Sequence, residues 1–142
     1  MFHTPRFILR SALLAALSAS ALSATAATVE VHVTGLVGAK GKVAVAVCDR
    51  EHFLKECVYH ASLPAHDGEN VVSVTGVPPG TWAVLVYQDE NDNGKLDRNF
   101  IGIPSEPYGF SRDARNHFGP PSFEDAAIEV KADPTVANVK VN

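Results

Sequence analysis

The stretch that most restricts this chain is Gly76-Val77-Pro78-Pro79-Gly80 with the run TWAVLVY directly behind it. Two adjacent prolines remove two backbone donors, so the segment fits neither a sheet interior nor a continuing helix and reads as a rigid connection. It feeds Trp82 to Tyr87, where Trp82, Val84 and Val86 face one way and Ala83, Leu85 and Tyr87 the other. This is the expected core strand.

The same period of two recurs along the chain. Val29, Val31 and Val33 alternate with Glu30, His32 and Thr34, a half-buried strand ended by Gly35. Val43, Val45 and Val47 alternate with Ala44, Ala46 and Cys48, so both faces are apolar and the strand is expected to be central. Val58 to Leu63, Val71 to Thr75, Ala126 to Lys131 and Val136 to Val141 complete the set, with turns at Gly38 to Lys42, His66 to Asn70 and Ala132-Asp133-Pro134. Arg50 to Cys57 reads as a helical turn. No helical period competes and no repeat is evident. The fold class is therefore all-β: a single antiparallel β-sandwich of about seven strands.

Ahead of it, Met1 to Arg10 carries Arg6 and Arg10 and no acid, Ser11 to Leu22 is small and apolar, and Ala24-Thr25-Ala26 has the A-x-A form of a cleavage site. Residues 1–27 are read as a signal peptide, cut after Ala26 or Ala27, and residues 28–142 as the β-sandwich domain, periplasmic or secreted. Without Arg6 and Arg10, the 12 basic residues become 10 against 16 acidic ones, a formal charge of −6. That balance argues against nucleic acid or an anionic membrane surface as partner, since both require a basic face. No membrane span is expected after leader removal. Cys48 and Cys57 are the only cysteines. Export makes a structural disulfide the default, over two free thiols or a metal pair.

Asp89 to Asp97 reads DENDNGKLD, a calcium-type loop at the end of the core strand. Asp89, Asn91, Asn93, the Lys95 carbonyl and Asp97 occupy loop positions 1, 3, 5, 7 and 9, and Gly94 stands where a chain wrapping a cation must turn with positive φ. Position 12 is Phe100, so the bidentate closing ligand of an EF-hand is missing. The flanks are a strand and prolines rather than two helices. The bland alternative is a polar turn rich in Asn, Asp and Gly. Calcium held here would bind weakly, on the order of 10⁻⁴–10⁻³ M, as in extracellular modules.

Arg98 to Asp125 shows no strand pattern. It holds four prolines, three glycines and five aromatic residues, Phe100, Tyr108, Phe110, Phe118 and Phe123. So many rings argue for an ordered loop over a disordered one, folded back onto one end of the sandwich. The rings would cap the core or form one wall of a ligand site beside Asp89 to Asp97. Glu124 or Asp125, where the loop returns, is a candidate for the closing ligand that Phe100 cannot supply.

The strings GVPPGTWAV, YQDENDNGKLDRNFIGIPSEPYGFS and FGPPSFEDAAIEV resemble the small secreted bacterial family known as domain of unknown function 2141, over roughly Val29 to Val141. The resemblance implies an exported Ig-like or transthyretin-like β-sandwich with no established activity and no catalytic residues to carry over. The G-V-P-P-G-T-W turn is also similar to peptidase-associated and transthyretin-like modules. Hydroxyisourate hydrolases of the latter fold depend on histidines, an arginine and a C-terminal Tyr-Arg-Gly-Ser motif, whereas this chain ends NVKVN. His32, His52, His60, His66 and His117 form no metal-ligand spacing, and Ser122 lies in no nucleophile elbow. The expectation is a non-catalytic binding or structural module stabilised by calcium, with an unidentified protein or cell-envelope partner. A small hydrolase with its site between the two loops, or an adaptor that adds a strand to a partner, are the competing classes.

Overall fold

A computed structural model describes residues 25–142; the leader expected over residues 1–27 lies, as far as residue 24, outside the described part. The strands are β1 (Ala27–Thr34), β2 (Lys42–Cys48), β3 (Tyr59–Pro64), β4 (Asn70–Val77), β5 (Gly80–Asp89), β6 (Tyr108–Phe110), β7 (Ala127–Val130) and β8 (Thr135–Lys140). A 3₁₀ turn at Ser111–Asp113 and a single helical turn, α1 (Phe123–Ala126), lie between β6 and β7. Two sheets form a sandwich. One has the order β4-β1-β8, and the other β3-β2-β5 with β6 and β7 sharing the far edge of β5.

Valines build the space between the sheets because each strand sends alternate side chains inward. Val29, Val31 and Val33 of β1 meet Val43, Val45 and Val47 of β2 and Val84 and Val86 of β5 in one buried cluster. Pairing is antiparallel except for β1 with β8, which is parallel and sets Val31 beside Ala137 and Val33 beside Val139. The expected strand Ala126 to Lys131 begins one residue later, at Ala127, and ends at Val130. β1 begins at Ala27, which is buried and paired with Val77. Cleavage after Ala26 therefore leaves β1 whole, and cleavage after Ala27 removes its first pair.

The Gly76–Gly80 connection owes its fixed shape to the strand it feeds. The Trp82 indole N–H donates to the Pro78 carbonyl at 2.8 Å, and the indole packs edge-on against Tyr59 with centroids 5.3 Å apart. The other face of β5 is buried as well. Ala83 and Leu85 lie under Phe53, Phe110 and Phe123, whose rings contact one another at centroid distances of 6.0 Å for Phe53–Phe110 and 5.7 Å for Phe53–Phe123. Phe53 reaches this cluster from the Arg50–Cys57 segment, which is a series of turns closed by the Cys48–Cys57 disulfide. It is not a helical turn, because Leu54 takes a left-handed φ of 62°.

Two buried polar side chains hold the loops that cross from one sheet to the other. Gln88, fully buried, accepts from Val37 N (2.9 Å) and donates to the carbonyls of Val37, Gly38 and Lys40. Asn70 does the same for the His66–Gly68 turn. Both replace the backbone partners that a tight loop cannot give itself.

Candidate functional site

β5 delivers Asp89 to the edge of the sandwich, only 2% exposed. The β1–β2 loop lies directly against it: Gly41 has a φ of 63°, and a Cβ there would stand 1.8 Å from the Asp89 carbonyl oxygen. A side chain at position 41 is excluded by contact and by conformation together. The Asp89 carboxylate then turns the chain. Its Oδ1 accepts from Asn93 N at 3.0 Å and its Oδ2 from Gly94 N at 2.7 Å, with Gly94 at the expected positive φ of 82°.

Beyond this turn the polar side chains converge. Asn91 and Asn93 donate through Nδ2 to the two oxygens of Asp97, at 2.6 and 2.7 Å. These bonds, Asn93 first and Asn91 second, hold the Asp97 carboxyl below its ordinary pKa by favouring the charged form. Asn93 Oδ1 accepts from Lys95 N at 3.1 Å, so Lys95 joins the loop through its backbone while its side chain is exposed. Of the five residues expected as ligands, Asn91, Asn93 and Asp97 are in direct contact, and Asp89 is tied to them through the backbone of Asn93.

The residue that braces the loop was not singled out in the sequence. Glu106, 7% exposed, accepts from Glu90 N at 3.0 Å through Oε1 and from Asp97 N at 2.9 Å through Oε2, and so joins both legs of the loop. Ser105 N donates to the Asp97 carbonyl beside it. Burial, followed by the Asp89 and Glu106 charges, pushes the Tyr87 hydroxyl pKa up, which sets both carboxylates near one ring. Its only sequence signal is an acid between Pro104 and Pro107, in the string P-S-E-P.

Glu124 and Asp125, the expected closing ligands, are engaged elsewhere. They lie in the first turn of α1, where Ser122 and Asp125 form a capping box. Glu124 pairs with Arg50, whose guanidinium lies 4.9 Å from the centroid of Phe123. The long segment is also more regular than expected, since Tyr108–Phe110 pairs with β5 as a strand. Three of its rings, Tyr108, Phe110 and Phe123, cover the sandwich; Phe100 and Phe118 are fully exposed. A cavity of about 110 Å³ lies among Tyr108, Phe110, Arg115, Asn116 and Pro121, and no residue of Asp89–Asp97 lines it. The residue that the long segment places on the calcium-type loop is Glu106. Among the described residues, no group of three His, Cys, Asp or Glu side chains is arranged to hold a metal ion. The expected ligand set has only two acids, the rest being amides and a carbonyl.

Two packed sheets, a disulfide-pinned aromatic cover on one of them and a carboxylate-braced polar loop at one end define a single β-sandwich module. Residues 31–138 match the family described as uncharacterized protein conserved in bacteria (DUF2141), and the chain belongs to that family. No curated protein matches the sequence. Among solved structures, a pilus-presented adhesin, Spy0125 (Cpa), is similar at 12% identity over 86% of this chain, with a TM-score of 0.32. This chain spans 28% of the adhesin's length. No helix of the described residues is long and apolar enough to cross a membrane.

Proposed function

We propose that the protein is an exported, non-catalytic β-sandwich module of the bacterial envelope whose Asp89–Asp97 loop takes up calcium and is stiffened by it. The convergence of Asn91 and Asn93 on the Asp97 carboxylate carries this reading. Both amides already point at one place, and rotation about the terminal torsion exchanges Nδ2 for Oδ1, which turns each donor into a calcium ligand; for Asn93 the ion then replaces the bond that its Oδ1 accepts from Lys95 N. Asp89 has lone pairs left beyond its two backbone bonds. Glu106 holds the legs of the loop at a fixed separation with or without the ion. Export is supported by the charge and apolar pattern of Met1 to Ala26 and by the Cys48–Cys57 disulfide, which belongs to an oxidising compartment. The non-catalytic reading is supported by the dispersal of the histidines. His32 bonds Glu30 and Glu69, His52 bonds Asp49, and His66 bonds the Asp67 carbonyl.

The test is thermal unfolding of the purified, oxidised protein in excess EDTA and in calcium up to several millimolar. At one hundred times Kd, binding to the folded state adds about 2.7 kcal/mol. The informative variant is Asp97→Asn, because Asp89 also holds the turn by its backbone bonds and its loss would destabilise the apo loop. A calcium-specific rise in Tm that magnesium does not reproduce and Asp97→Asn removes supports the site. No rise in the wild type sinks it and leaves a turn organised by carboxylates alone.

A further inference from the structure

Past Asp97 the chain makes a second, smaller excursion from Arg98 to Pro104, which are bridged to each other. Its interior is held by hydrogen bonds. Asn99 N donates to the Ile103 carbonyl at 2.9 Å and Gly102 N to the Asn99 carbonyl at 2.9 Å, while Asn99 Oδ1 accepts from Ile101 N and Ile103 N. The Arg98 guanidinium donates to the Gly102 carbonyl from the base. This ordered tip carries the most exposed apolar side chains of its region: Phe100 is 100% exposed, Ile101 64% and Ile103 55%. An apolar group in water at a rigid, hydrogen-bonded tip marks a contact surface.

From this geometry we propose that the Phe100–Ile103 tip inserts into the surface of a zwitterionic lipid bilayer. Size and shape choose the bilayer over a protein groove or a second copy of the chain. Three such side chains offer on the order of 400 Å², about half of what one partner contributes to a stable protein interface. The complete exposure of Phe100 shows that the tip is convex, and a bilayer accepts a convex tip without a complementary pocket. Charge agrees. Asn99 to Ile103 carries no ionisable side chain, and the nearest acids along the chain, Asp97 and Glu106, are bonded into the loop base. Arg98 stands at headgroup level. The acidic balance of the rest of the chain disfavours anionic lipid, which makes the zwitterionic surface the fitting one. Insertion of the tip needs no calcium in the Asp89–Asp97 loop.

The experiment is flotation of the purified protein with phosphatidylcholine–phosphatidylethanolamine vesicles in EDTA, alongside Phe100→Ser and a Phe100→Trp reporter. The wild type is expected to float with the vesicles, and Phe100→Ser to lose at least tenfold in partitioning, the lower bound for burial of one Phe side chain. The added indole is expected to shift to the blue on vesicle addition, relative to the wild type with Trp82 alone. Phe100 is fully exposed among the described residues, so an unchanged unfolding midpoint for Phe100→Ser separates lost binding from misfolding. No flotation of the wild type, equal flotation of wild type and Phe100→Ser, or a dimer in solution that Phe100→Ser dissolves each overturns the proposal.

Discussion

The sandwich should be unusually sensitive to Ser111→Ala. Along its outer edge β5 changes neighbour, pairing with β7 from Gly80 to Ala83 and with β6 from Leu85 to Tyr87. Val84 sits at the changeover, fully buried, and its N–H is taken by neither strand. The Ser111 hydroxyl accepts it at 2.9 Å and donates in turn to the Ala126 carbonyl, which is equally buried. Removing one oxygen orphans a buried donor and a buried acceptor, and the space freed is smaller than a water needs. Each unpaired group costs about 1–3 kcal/mol. Allowing for the hydroxyl that no longer has to be desolvated, the expected loss is about 2–4 kcal/mol, a large part of a typical 5–15 kcal/mol. Urea unfolding at constant m measures it, and hydrogen exchange at the Val84 amide localises it. Exposed Ser62→Ala should fall within about 0.5 kcal/mol of wild type. A loss under about 1 kcal/mol in Ser111→Ala, with Val84 protection unchanged, would refute the assignment of Ser111 as the missing ladder partner.

Two further outcomes are expected. Replacing Cys48 and Cys57 with serine removes a cross-link between residues nine apart and should lower stability by about 2.5 kcal/mol in the chain-entropy model, with increased exchange around Phe53; an equally stable double variant would show that the turn holds itself. His32 bonds Glu30 at 2.7 Å and Glu69 at 2.9 Å, and these two bonds, Glu30 first, raise its pKa. The stabilisation from a raised pKa is fully present below about pH 6.5 and is lost as pH rises through the folded value. His32→Gln should flatten stability against pH in that window, and an imidazole titrating by NMR at or below its ordinary value would contradict the clamp.

How much of this was legible follows from what a side-chain period can record. Strands of six or more residues with one buried face announce themselves, as Val29–Val31–Val33 and Val43–Val45–Val47 do. A period carries no direction, so the parallel pairing of β1 with β8 could not be read from it. β6 is three residues long with a glycine in the middle, too short for any alternation. The helical turn at Phe123 did have a signal, Ser122 followed three residues later by Asp125, which reads as a capping pattern and not as the start of a strand. The calcium-type loop was legible in position and in its positive-φ glycine, because those depend on local spacing. Glu106 and Ser111 were not, because each serves backbone groups that become neighbours only after the chain has closed on itself.

That closure is what gives the loop region its character. β5 needs cover on its outer face, and the segment that supplies it must leave from Asp89 and come back beside the same strand, where the Pro107 carbonyl accepts from Gln88 N at 2.8 Å. The intervening residues 90–106 thus begin and end within one strand spacing of each other, with too few apolar side chains facing inward to form a core of their own. Carboxylates take over that task. Asp89 folds the first turn, Asp97 gathers the two asparagines, and Glu106 ties the outgoing leg to the returning one. With the polar groups turned inward to hold the excursion, its far end, Phe100 to Ile103, is left with nothing among the described residues to bury against. The braced interior and the bare apolar tip are two results of one constraint, the need to bring Tyr108 and Phe110 back over β5.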